Sequence, residues 1–191
     1  MTSGLQPIDA APIAPGRLAA RLFETRRHSL DLAAPLSPED QVVQANDDAS
    51  PTKWHLAHVT WFFETFVLKP FLPGYRLCDP RFPYCFNSYY EAEGARHPRG
   101  ARGLLPLPSR DEVIPFPAHI GQGLQALFAA GLADQPDVAA LLEVGIHREQ
   151  QHQELLLTDI LGLFASQPLR PAYETRPPLT GGAVAPMRFL E

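Results

Sequence analysis

Proline does most to decide what this chain can fold into, because each one removes a backbone donor and its ring clashes with a helix interior. The sequence holds 21 prolines in 191 residues, roughly double the usual share of ~5%. They crowd into residues 1–15, 70–117 and 168–186 and are sparse elsewhere. Helices are therefore expected between these zones, and long irregular segments within them.

Four helices follow from the pattern. Residues 16–32 place Leu18, Leu22, Phe23, Leu30 and Leu32 near one helical stripe, as an amphipathic helix requires. Ser50-Pro51 offers an N-cap hydroxyl and a first-turn proline, which predicts a helix over 51–67 carrying Trp54, His58, Trp61, Phe62 and Thr65 at spacings of three and four. Ser109 and Glu112 form a capping-box pattern, so 109–131 reads as a helix that Pro115 and Pro117 kink or delay. Residues 136–166 have proline only at their first position and repeat Leu142, Ile146, Leu155, Ile160 and Leu163 on an apolar side, the longest periodic stretch. The connection over 68–108 is rich in proline and aromatics such as Phe71, Phe82, Phe86 and Tyr90. It is expected to be ordered, since such rings favour burial. The expected fold class is all-α: a four-helix bundle over 16–166 with a long connection between helices 2 and 3. Residues 1–15 read as a flexible N-terminal extension. Residues 167–191, with Gly181, Gly182 and an apolar 187–190 stretch, read as an extended Pro/Gly-rich linker toward a second domain.

Charge and cysteine content narrow the function. Sixteen Lys+Arg against 21 Asp+Glu give a net charge of −5, so no nucleic-acid partner is expected. Cys78 and Cys85 make neither a CxxC pair nor a disulfide framework, which points to a reducing, cytoplasmic setting. Neither a signal peptide nor a membrane-spanning apolar run is apparent.

The residues able to carry chemistry lie on two of the helices. His55 and His58 are three apart; His147, Glu149, His152, Glu154 and Asp159 share the last helix. At about 100° per residue, His147 and His152 diverge by about 140°, whereas Glu149 and His152 form the Glu-x-x-His pair that holds metal in carboxylate bundles. The same charges equally fit a solvated face with i,i+4 partners. Arg96, Arg99 and Arg102 sit within seven residues. They suit bidentate capture of a carboxylate, or pairing with Glu91, Glu93 or Asp79.

Three strings carry a resemblance: ASPTKWHLAHVTWFFETF at 49–66, FNSYYEA at 86–92 with ARHPR at 95–99, and REQQHQELLLTD at 148–159. They resemble the ergothioneine-biosynthesis sulfoxide synthase family over about residues 21–191, in its N-terminal DinB-like four-helix domain. The resemblance implies a mononuclear non-haem Fe(II), held by three histidines. That iron couples γ-glutamylcysteine or cysteine to N-α-trimethylhistidine (hercynine) with dioxygen. It implies His58 and His152 as metal ligands, Arg99 and Arg102 as receivers of the thiol's carboxylate, and Gln151 near hercynine. Two departures stand out. Arg148 occupies the place of the motif's first histidine, and a guanidinium is no metal ligand. The family's C-terminal domain, similar to formylglycine-generating enzymes, does not lie within these residues. Glu149 and His147 are the candidate third ligands. The alternatives are a DinB-like interaction or thiol-binding module that has lost its metal, and a stand-alone metal-dependent thiol transferase.

Overall fold

The computed structural model describes residues 15–106, 108–113 and 115–175. The N-terminal extension up to residue 14 lies outside them, as does the tail beyond 175 with its glycine pair and apolar end. Among the described residues the chain is all-α, without a strand. Four long helices dominate: α1 (Pro15–Ala33), α2 (Thr52–Phe63), α3 (Pro115–Ala129) and α4 (Pro136–Ser166). No helix among the described residues is long and apolar enough to cross a membrane.

Helix α4 packs along both α1 and α2, and α3 leans on α2, while α1 and α3 touch only sparsely. The common core is built from Leu22, Trp61, Phe63, Phe116, Ile120, Leu142 and Ile146. Leu30, expected in the stripe of the first helix, is instead 47% exposed, and Leu155 on α4 is 39% exposed. Both border cavities rather than the core. The connection after α2 is ordered, as its aromatics suggest: Phe82 and Phe86 are buried in the core.

Local chemistry sets the helix ends. Ser50 does not cap α2. Pro51 is the N-cap and α2 starts at Thr52, because the Ser50 hydroxyl accepts a bond from Arg102 Nη1 at 2.8 Å instead. The expected run to Val67 is interrupted: α2 ends at Phe63 and continues as a π-helical turn, Glu64–Leu68. Ser109 and Glu112 do form their reciprocal box, Ser109 N–H to Glu112 Oε2 at 2.7 Å and Glu112 N–H to Ser109 Oγ at 3.2 Å. It caps only the short turn Arg110–Val113 before Pro115 opens α3.

Gly145 governs how closely α4 approaches α2. A Cβ there would lie 2.3 Å from Phe63 Cε1, and Phe63 is fully buried. Gly145→Ala is therefore expected to cost about 1–3 kcal/mol through overpacking, despite the ~1 kcal/mol gained in helix propensity. Urea unfolding checks this; an unchanged or raised midpoint would show that the two helices separate without cost.

Candidate functional site

The close approach of α2 and α4 brings three imidazoles together. The ring centroids of His58 and His152 are 4.7 Å apart, and those of His55 and His152 are 5.2 Å apart. His58 is wholly buried and stacks on Trp54, with centroids 4.7 Å apart and planes within 9°.

Donor and acceptor counting fixes the tautomers. Phe86 C=O can only accept, so His58 donates from Nδ1 across 2.6 Å and keeps a bare Nε2. Asp159 Oδ2 accepts the Ser50 backbone N–H at 2.8 Å and His55 Nε2–H at 2.9 Å. A neutral His55 is then bare at Nδ1, so the 2.9 Å contact between the two Nδ1 atoms is a donation from His152 to His55. His152 in turn keeps a bare Nε2. Asp159, His55 and His152 thus form a chain that holds one ring through another, as outer partners orient histidines in metal sites.

Burial keeps these rings neutral. Desolvation is the largest cause that lowers His58, to about 3, with Phe86 opposing and Arg148 reinforcing. Desolvation also lowers His152 and His55, the latter against the opposing pull of Asp159.

Arg148 takes the inner nitrogen of His58: its Nη2–H donates to Nε2 at 3.0 Å. The guanidinium lies over the rings of Tyr90 and Phe62, at 5.2 and 5.5 Å from their centroids. Its partner is thus an imidazole and not a carboxylate such as Glu149 or Asp159 on its own helix. A fixed positive charge against that nitrogen opposes a cation. Among the described residues no group of three or more His, Cys, Asp or Glu is placed to hold a metal. The side chains present do not fit a three-histidine iron centre.

The remaining sequence candidates divide. Arg99, Arg102 and Gln151 line a cavity of about 390 Å³ together with Arg148, His152 and Asp159. Arg102 is 5% exposed and lies 3.4 Å from the Trp54 ring centroid. Its Nη atoms donate to the Ser50 and Ser88 hydroxyls, and its buried Nε has no partner. Among the described residues no carboxylate pairs with it, and burial is the largest cause that lowers its pKa to about 10. Arg99 donates to Asp48 C=O and to the Tyr89 hydroxyl.

Glu149 and His147 are not brought into this cluster. Glu149 is 2% exposed; its Oε1 accepts from Ser29 at 2.8 Å and its Oε2 from Arg26 at 3.2 Å. Its Glu-x-x-His spacing with His152 is real, but the three residues leave it about 60° around the helix, and it turns to Ser29 and Arg26 on α1. His147 is exposed and bonds to Gln150, the direction the 140° phase difference requires. Sequence reasoning missed the roles of His55 and Asp159. The available signal was the four- and seven-residue spacing of Arg148, His152 and Asp159, which sets all three on one face. Comparison of the chain with known protein families and with curated proteins gives no match in either.

Proposed function

We propose that this chain is a DinB-like four-helix domain of the ergothioneine sulfoxide synthase kind that works in the cytoplasm as a binding module for a small thiol bearing a carboxylate, without iron. The observation that carries this reading is Arg102: a buried guanidinium with no carboxylate partner and an unpaired Nε, on the wall of a cavity of about 390 Å³. Asp159 acts on it only from a distance, and a desolvated cation that no carboxylate contacts awaits an anion. Trp54 holds the guanidinium flat, Arg99 stands at the rim, and Gln151 and Tyr89 supply further polar contacts. Cysteine or γ-glutamylcysteine fits that chemistry. No redox step is assigned, because Arg148 stands where a metal ligand would be needed.

One observation favours a second reading, the Fe(II)-dependent sulfoxide synthase domain working with hercynine and a formylglycine-generating-enzyme-like partner domain. The inner nitrogens of His58 and His152 both lack a proton, although Arg148 donates to that of His58, and their outer nitrogens are tied to a carbonyl and to the His55–Asp159 chain. That reading requires the Arg148 guanidinium to leave His58.

Calorimetric titration with cysteine, and anaerobic dialysis against Fe(II), separate the two. The expected results are thiol binding indifferent to chelator, no stoichiometric iron, and binding weakened about tenfold or more in Arg102→Met or when cysteamine replaces cysteine. Arg148→His is expected to confer iron retention. Stoichiometric iron in the unaltered protein, with thiol binding abolished by chelator, overturns the proposal. Equal affinity for cysteamine and cysteine overturns the carboxylate assignment.

A further inference from the structure

On the other side of α2 from the imidazoles, the sparse contact between α1 and α3 leaves a cavity of about 550 Å³. Its walls are mainly apolar: Phe23 and Leu30 from α1, Leu56 and Val59 from α2, Val113, and Pro117 from α3. That size and character, between helices of a bundle, match a small-molecule pocket. A void of this size walled by apolar groups forfeits packing unless something fills it. It also accounts for Leu30, which is 47% exposed although the helix period directs it inward.

Of the charged residues in the lining, Arg26, Arg27, Lys53 and Arg110 are cationic and Glu149 is anionic; Arg27 is matched by Asp31. Arg26 is matched by Glu149. Lys53 is 3% exposed and among the described residues pairs with no carboxylate; its Nζ donates to the carbonyls of Leu105, Pro106 and Pro108. Arg110 places a buried, unpartnered Nε in the lining. Its side chain is 37% exposed, and its Nη1 bonds to Asp111, whose side chain is 83% exposed. The balance inside is positive, so a ligand with an apolar body and one negative head group complements it.

We propose that this cavity is a second binding site, separate from the arginine and histidine pocket, and that it takes an amphiphilic monoanion of the alkyl carboxylate class, tail between α1 and α3 and head at Arg110. Lys53 contributes charge alone, because its three donors are taken by carbonyls. The proposal does not depend on the function of the first site.

Gly121 makes the test clean. It lies in the cavity wall on α3, and a Cβ there would meet nothing within 4 Å. Gly121→Leu therefore fills the cavity and improves helix propensity, so it is expected to fold with an unchanged or higher melting temperature. Titration calorimetry with decanoate, below its micellar concentration, is expected to show saturable binding at one site per chain. Gly121→Leu is expected to weaken that binding at least tenfold while leaving cysteine binding unaltered. Arg110→Gln is expected to weaken decanoate severalfold without affecting decanol, which lacks the charge. Absence of decanoate binding, or binding undiminished in Gly121→Leu, overturns the site. Equal losses for decanoate and decanol in Arg110→Gln overturn the assignment of the head group.

Discussion

Replacing Arg26 by methionine is expected to remove about 3–5 kcal/mol of stability, a large share of what a domain of this size possesses. Arg26 is 8% exposed and bridges three helices. Its Nη1 meets Glu149 on α4 at 3.2 Å, its Nη2 meets Thr60 on α2 at 3.3 Å, and its guanidinium lies over Phe63. Without it, the Glu149 carboxylate stays buried with Ser29 as its remaining side-chain donor. Burial already raises the Glu149 pKa, with Arg26 as the chief opposing influence. The single variant should therefore take up a proton at higher pH than the unaltered protein does, as well as lose stability. The double variant Arg26→Met, Glu149→Met removes both charges and is expected to recover most of the loss, since the cost lies in the uncompensated charge. Urea unfolding of the three proteins decides it. A single-variant loss under about 1 kcal/mol would show that water reaches Glu149.

The second large effect is with pH. His58 is depressed to about 3 by burial, and His55 and His152 are lowered in the same direction for the same first cause. In the unfolded chain each returns to about 6.5. Below that pH the unfolded state binds more protons than the native state, so stability falls as pH falls. It continues to fall until the native rings themselves protonate. For His58 alone the loss is about 2–3 kcal/mol by about pH 4.5, and the other two rings add to it. Glu149 works in the opposite sense, because its raised pKa favours the native state as acid is added. The signature of the imidazoles is an onset near pH 6.5, above the range of ordinary carboxylates. Urea midpoints at intervals from about pH 7.5 to 4.5 measure it; a flat profile over the upper half of that range would mean that the cluster is already hydrated.

Both effects rest on contacts between helices, which marks where sequence reasoning stops. The all-helical class was legible in the spacing of prolines, since each break in the chain had to fall where a donor was already missing. The bounds of α4 were legible for the same reason, and so was the Ser109 and Glu112 box, a matter of three residues' separation. His58 and His152 were singled out by their strings, and the structure sets their rings 4.7 Å apart. The Ser50 cap failed because a hydroxyl with two possible partners goes to the buried guanidinium rather than to the helix.

The sequence by itself determined roughly where the four long helices fall and which residues they carry, because those properties follow from periods of a few residues. Only the tertiary structure decided that Arg148 ends on His58, that His55 joins Asp159 to His152, that Glu149 turns to Arg26, and that α1 and α3 leave a cavity between them. Each of these depends on the distance and rotation of one helix against another. Buried contacts such as Gly145 against Phe63 set that geometry, and they pair residues far apart along the chain.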